Sequence, residues 1–149
     1  MDYIGSGRSN YIKTTDVEAF KALCKRFNLS VIGDEKMGWG CIARAECGEP
    51  ELLEQYIDED EILNDEILYD DILFEDMCNT LDDDFFFEII NLIQPDEVFI
   101  WQHIGNEGHK YFYGYSLAIN SKGVRKEVNI NDIYDQLKDL GTNISRAEY

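Results

Sequence analysis

Between Arg44 and Lys110 the chain has no lysine and no arginine, although it carries 13 such residues in all. That gap excludes a nucleic-acid-binding surface built from this stretch, because phosphate contacts depend on Lys and Arg. Other shortages are equally restrictive. There are two histidines, His103 and His109, and the four cysteines, Cys24, Cys41, Cys47 and Cys78, form no C-x-x-C pair. The spacings of the common structural zinc sites are therefore missing, and a zinc site would have to combine these thiols with His103 or His109 in some other way. Cysteines scattered through apolar patterns suit reduced, mostly buried thiols of an intracellular protein. The chain also lacks a Gly-rich phosphate loop, an apolar run of membrane-spanning length, and an apolar segment after Met1 of the kind that directs secretion. The expectation is a soluble, cytoplasmic protein with no membrane partner.

What is present instead is acid. Residues 45–109 hold 21 of the chain's 31 Asp and Glu, leaving 10 acids against all 13 bases elsewhere, so the net charge of −18 belongs to this one stretch. A hydrophobic content of 44% with 13% aromatics argues for a folded domain, since acidic disordered tails are poor in aromatics. At 149 residues the length is that of one domain with a substantial core. With a pI near 4.2 the natural complement is a cationic partner, and direct binding to nucleic acid is disfavoured.

The acids are ordered. Asp60-Glu61-Ile62-Leu63-Asn64, Asp65-Glu66-Ile67-Leu68-Tyr69, Asp70-Asp71-Ile72-Leu73-Phe74 and Glu75-Asp76-Met77-Cys78-Asn79 repeat acid-acid-apolar-apolar-x, and Asp82-Asp83-Asp84 follows. On one straight α-helix a step of five residues turns a side chain by ~500°, or ~140° net, which would wind the apolar doublets around the axis. Short helical turns with re-aimed axes fit better, each burying a doublet and leaving its carboxylates in water. The pentad also resembles the five-residue repeat of quadrilateral β-helix proteins, some of which imitate DNA. Those repeats want a small residue where Asp60, Asp65, Asp70 and Glu75 stand, and four copies would complete about one coil.

Along the rest of the chain, residues 10–13 read as a short strand and the opening residues, with Gly5 and Gly7, as a frayed start. The capping pattern Thr15-Asp16-Val17-Glu18 begins a helix over 16–27, with Phe20, Leu23, Cys24 and Phe27 at helical spacing. Strands follow at 29–32 and 38–45, then a short helix after Pro50. Residues 82–94 form a helix with aspartates at its N-terminus and Phe85, Phe86, Ile89, Ile90 and Ile93 inward. Strands are expected at 97–104, 111–120 and 124–130, the last two joined by a turn at 120–123. In 111–120 one side is bulky and the other nearly bare, as when a helix packs over small residues. A final helix from Asn131 should turn Ile133, Tyr134, Leu137 and Leu140 inward. The fold class is α+β: one domain over 1–149, an antiparallel sheet built from both chain ends with flanking helices, and an acidic short-helix insertion at about 50–94.

Ser9-Asn10-Tyr11-Ile12-Lys13 with residues 16–20, and Ala118-Ile119-Asn120-Ser121-Lys122-Gly123 with Asn131-Asp132-Ile133-Tyr134 and Asn143-Ile144-Ser145-Arg146-Ala147-Glu148-Tyr149, resemble small acidic proteins of bacterial mobile elements and phages. The similarity covers the two ends, about half the chain, and carries no catalytic residue. It implies a mobile-element setting in a bacterial host, where inhibitors of restriction and CRISPR systems occur.

Several chemistries fail on spacing. A calcium loop of the EF-hand type starts well at Asp58-x-Asp60, but Ile62 stands at its fifth position and Leu63 at its glycine. A catalytic carboxylate pair needs environments that separate two pKa values, whereas a run of neighbouring acids is a solvated, repelling face. A nucleophilic cysteine needs a histidine, and a strand histidine beside Trp101 reads as packed or surface. The tyrosines of 111–115 could stack bases, but packing against a helix accounts for them and the net charge opposes nucleic acid. No enzyme activity, metal or cofactor is expected.

Electrostatic imitation of nucleic acid remains. Residues 58–76 carry 10 acids in 19 positions, which on helical turns is roughly one charge per 3 Å, against ~3.4 Å for one DNA strand and ~1.7 Å for the duplex. The candidate partner-binding residues are Asp58, Glu59, Asp60, Glu61, Asp65, Glu66, Asp70, Asp71, Glu75, Asp76, Asp82, Asp83 and Asp84. The expected partner is a basic nucleic-acid-binding protein of host defence, such as a CRISPR effector or a restriction complex. An immunity-type protein that neutralises a cationic toxin is the alternative, and a merely solvated face the bland one.

Overall fold

Asp16 converts its capping pattern into structure: its side chain accepts a hydrogen bond from the Ala19 amide at 3.1 Å, and helix α1 (Val17–Arg26) starts at the next residue. Glu18 in the first turn and Lys25 and Arg26 in the last follow the helix dipole, and Phe20, Leu23 and Cys24 are buried. Asn28, at φ 54°, leaves the helix in the left-handed region. The computed structural model to which these features belong describes residues 3–56, 84–108, 111–137, 139–143 and 145.

Six strands, β1 (Ile4–Ser9), β2 (Leu29–Asp34), β3 (Gly38–Ala43), β4 (Val98–Glu107), β5 (Tyr111–Asn120) and β6 (Arg125–Asn129), form one sheet. Its order is β2-β3-β1-β4-β5-β6, antiparallel throughout. The three strands before residue 44 thus fill one half of the sheet and the three after residue 97 the other, the halves joining where β1 pairs with β4, so the sheet is drawn from both chain ends. The turn between β5 and β6 is held by Asn120, whose Oδ1 accepts from the Lys122 and Val124 amides at 3.0 Å.

Two expectations are corrected. The first strand lies at Ile4–Ser9, and Ile12 contributes an isolated bridge to Trp39. The glycines that read as fraying are required by a close approach: a Cβ on Gly7 would sit 2.1 Å from the Gly48 carbonyl oxygen. At the other end the chain forms a 3-10 helix, Ile130–Gln136, capped by Asn129 in a reciprocal pair with Asp132. Its three-residue period does not align the α-spaced apolar residues, and Ile133 and Leu140 stay 52% and 80% exposed.

One face of the sheet carries the core. Residues 84–89 are helical and continue into a 3-10 turn, Ile90–Leu92. Phe85, Phe86, Ile89 and Ile93 join α1 over Phe99, Trp101, Leu117 and Ile119. Phe85 is the hub, edge-on to Phe27 at 5.5 Å, Phe86 at 5.3 Å, Phe99 at 6.1 Å and Trp101 at 6.5 Å. The bulky side of β5, not its bare side, faces these helices. On the opposite side Gly114 and Ser116 look onto an open surface that Ile130 borders, where a Cβ on Gly114 would lie 3.1 Å from Ile130 Cγ2. Among the described residues no helix is long and apolar enough to cross a membrane.

The hub gives a first prediction. Phe85→Ala should cost about 3–5 kcal/mol in urea unfolding, because four rings lose a shared neighbour. A loss below about 1 kcal/mol would show that the core can close over the gap and that Phe85 does not organise it.

Candidate functional site

Both ends of the acidic insertion are fixed at one place. After Pro50, the Glu51 amide donates to the Phe27 carbonyl at 2.9 Å and the Leu53 amide to that of Arg26 at 3.0 Å. These bonds occupy carbonyls that the end of α1 leaves without helical partners. On the return, Phe85 packs on Phe27 and Glu88 pairs with Arg26. The exit at residue 56 and the re-entry at residue 84 are therefore both tied to the C-terminus of α1. Asp84, the first described residue of its helix, is exposed there. Asp58, Glu59, Asp60, Glu61, Asp65, Glu66, Asp70, Asp71, Glu75, Asp76, Asp82 and Asp83 lie outside the described residues, as do His109 and Cys78.

Just before that anchorage the chain makes a second polar arrangement, which the sequence did not reveal. Gly48 adopts φ 75° and lies so close to β1 that a Cβ on it would be 2.4 Å from the Ser6 amide nitrogen. This turn lays the loop across Gly5 and Gly7 and brings Glu49 beneath β4 and β5. His103, 2% exposed, faces it between Gly7 and Tyr115 in the sheet register. Its Nδ1 stands 3.1 Å from the Gly48 carbonyl oxygen and 3.1 Å from Glu49 Oε1. The carbonyl is acceptor-only, which assigns the hydrogen to Nδ1 and, in the neutral ring, leaves Nε2 to accept from the Tyr3 hydroxyl at 2.6 Å. Tyr115 donates to the Glu49 carboxylate at 2.8 and 2.9 Å. Tyr3 and Tyr115 each stack on the imidazole, with centroids 6.1 and 5.4 Å from it.

The electrostatics follow from burial. Desolvation pushes the Glu49 carboxyl up, opposed by the His103 ring and by the Tyr115 and Trp101 donors. The Trp101 N–H makes no hydrogen bond of normal geometry, so its effect is that of a nearby dipole. Burial, followed by the charge of Glu49, moves the Tyr3 hydroxyl up to about 12. A hydroxyl so raised is a poor nucleophile, although a carboxylate–histidine–hydroxyl series superficially resembles a catalytic relay. Geometry and electrostatics favour a fastening role: the cluster pins the start of β1 and the 45–50 loop to the middle of the sheet. The signal available in the sequence was the trio Gly5, Gly7 and Gly48, unusable without the pairing of distant segments.

Among the described residues no group of three or more His, Cys, Asp or Glu is placed to hold a metal ion. Cys24 and Cys41 are buried and free, and their mutual hydrogen bond with burial raises the Cys24 thiol; Cys47, by contrast, is exposed. No protein family, curated protein or solved structure matches the chain.

The raised Glu49 carboxyl makes a pH prediction. A carboxyl whose folded pKa exceeds its unfolded value adds stability below the unfolded pKa and loses it as pH rises through the folded one. Relative to Glu49→Gln, which carries no titrating group, the wild type should gain stability as pH falls through the carboxylate range. Urea midpoints of both proteins, taken across that range, test the sign; a difference that moves the other way would mean that the donors outweigh burial. Separately, Tyr3→Phe should cost about 1 kcal/mol by leaving a buried His103 nitrogen unpaired, read in the same titrations.

Proposed function

We propose that the protein is a stoichiometric, non-catalytic inhibitor whose acidic insertion occupies the nucleic-acid-binding groove of a bacterial defence protein, a CRISPR effector or a restriction complex, in the cytoplasm of the host. The observation that carries this reading is the charge separation: 21 acids and no base over residues 45–109, in a chain whose 13 bases can neutralise fewer than half of its 31 acids. Like charges gathered in one segment repel each other and gain nothing for solubility that a mixed surface would not give. A row of Lys and Arg that normally holds phosphates offsets that repulsion, and the spacing of acids in 58–76 approaches the charge spacing of a DNA strand. The anchorage of both insertion ends at α1 supports the reading, since a fixed base reduces the freedom lost when the segment binds. Asp58, Glu59, Asp60, Glu61, Asp65, Glu66, Asp70, Asp71, Glu75, Asp76, Asp82, Asp83 and Asp84 stand in for phosphates in this proposal.

Capture from a host that carries such defence systems identifies the partner. Its affinity should fall roughly tenfold or more between low and moderate salt. Changing one acid doublet, Asp65-Glu66 or Asp70-Asp71, to Asn-Gln should weaken binding by about threefold or more while leaving the urea midpoint unchanged. In competition the protein and the partner's DNA or RNA should exclude each other. Simultaneous binding without mutual loss of affinity refutes the proposal, and a captured partner that is a cationic toxin with no nucleic-acid groove replaces it with the immunity reading.

A further inference from the structure

The face of the sheet opposite the core holds a groove of about 510 Å³, within the range of small-molecule sites. Its floor follows from register. Ile42, Arg8, Gln102, Ser116 and Val128 lie side by side on β3, β1, β4, β5 and β6, a row that spans about 19 Å at ~4.8 Å per strand. Gly114 and Ser116 make the middle shallow, and Ile104, 67% exposed, Val128, 65% exposed, and Ile130, 49% exposed, stand around it. Antiparallel sheets with one covered face ordinarily turn polar residues outward, whereas here branched apolar side chains ring a bare strip.

The charge of the groove is the reverse of the chain's. Among the described residues its lining includes no Asp and no Glu, and Arg8 is the one permanently charged side chain there, in a chain of 31 acids. Arg8 donates through Nε to the neighbouring Ser9 carbonyl at 3.3 Å and stands 6.0 Å from the Tyr11 ring. Among the described residues no carboxylate forms an ion pair with it. Gln102 and Ser116, joined at 3.2 Å, add hydrogen-bonding capacity between Arg8 and the apolar end at Val128.

We infer that this groove binds a single-chain carboxylic acid, with the carboxylate at the Arg8 guanidinium and the alkyl chain over Gly114 and Ser116 between Ile104 and Val128. A guanidinium receives a carboxylate through two parallel N–H donors, and the apolar walls exclude water from the chain. The inference does not rest on the inhibitor reading.

The experiment is calorimetric titration of the full chain with octanoate and, as the neutral control, octan-1-ol. Wild type should bind one octanoate saturably and octanol more weakly. Arg8→Gln should weaken octanoate about tenfold and leave octanol unchanged, while Ser116→Phe, which fills the floor, should abolish both. Ile104→Glu, which puts a carboxylate on the wall, should repel octanoate and serves if the Ser116 variant does not fold. Lack of saturable binding, or octanoate binding indifferent to Arg8→Gln and Ile104→Glu, overturns the inference. So does a wild-type dimer in sedimentation that octanoate fails to dissociate, for the face would then be covered by a second copy.

Discussion

The architecture depends on a backbone-on-backbone contact: the 45–50 loop lies directly on β1 because Gly5 and Gly7 have no side chains there. Cβ atoms on them would fall 2.1 Å from the Cys47 and Gly48 carbonyl oxygens, inside any tolerable approach. Everything downstream follows from that seating. It delivers Glu49 to His103 and Tyr115, buries Pro50, and passes the chain to Phe27, where the acidic insertion begins. The polar cluster converts the contact into a fastening, because each hydrogen bond spans segments far apart in sequence. A side chain at either β1 glycine would lift the loop, unpair a buried carboxylate and displace the anchorage together, so these effects cannot be altered singly.

The same route explains how so lopsided a charge is tolerated. Two carboxylates about 6 Å apart in water repel by roughly 0.7 kcal/mol, and an insertion accumulates many such terms. The fold offsets none of this with bases inside the stretch, since residues 45–109 contain none. Among the described residues, stabilising contacts stand at its two ends. Phe85 and Phe86 give the re-entering chain a large apolar burial, while Glu51 and Leu53 complete the carbonyls that α1 leaves open.

Local features were legible in the sequence and long-range ones were not. The Asp16 cap, the α1 stripe, the aromatic run of 85–93 and the Asn120 turn depend on neighbours within a few residues, and the structure has them where the pattern put them. The first strand was missed because Gly5 and Gly7 look like fraying until Gly48 is laid on them. The last helix was misjudged because the spacing of Ile133, Leu137 and Leu140 suits an α-helix, whereas the reciprocal Asn129–Asp132 cap opens a 3-10 helix. The alternation of 111–120 gave the two sides of β5 correctly but not which side was covered. The His103 cluster joins residues 3, 49, 103 and 115, and no periodicity connects those.

The open face shows what the charge distribution permits. An anionic ligand approaching a chain of net charge −18 meets repulsion over most of the surface, but at physiological salt that repulsion decays over about 8 Å. The acids nearest the anchorage, Glu49, Glu51 and Glu88, belong to the covered side, with the sheet and its side chains between them and the groove. Close to Arg8 the guanidinium outweighs the described acids, none of which lines the groove. A sheet face can stay receptive to an anionic ligand in so acidic a chain only where no acid is placed on the outward positions of the central strands. β1, β4 and β5 meet that condition, presenting Ile4, Ser6, Arg8, Gln102, Ile104, Gly114 and Ser116 outward.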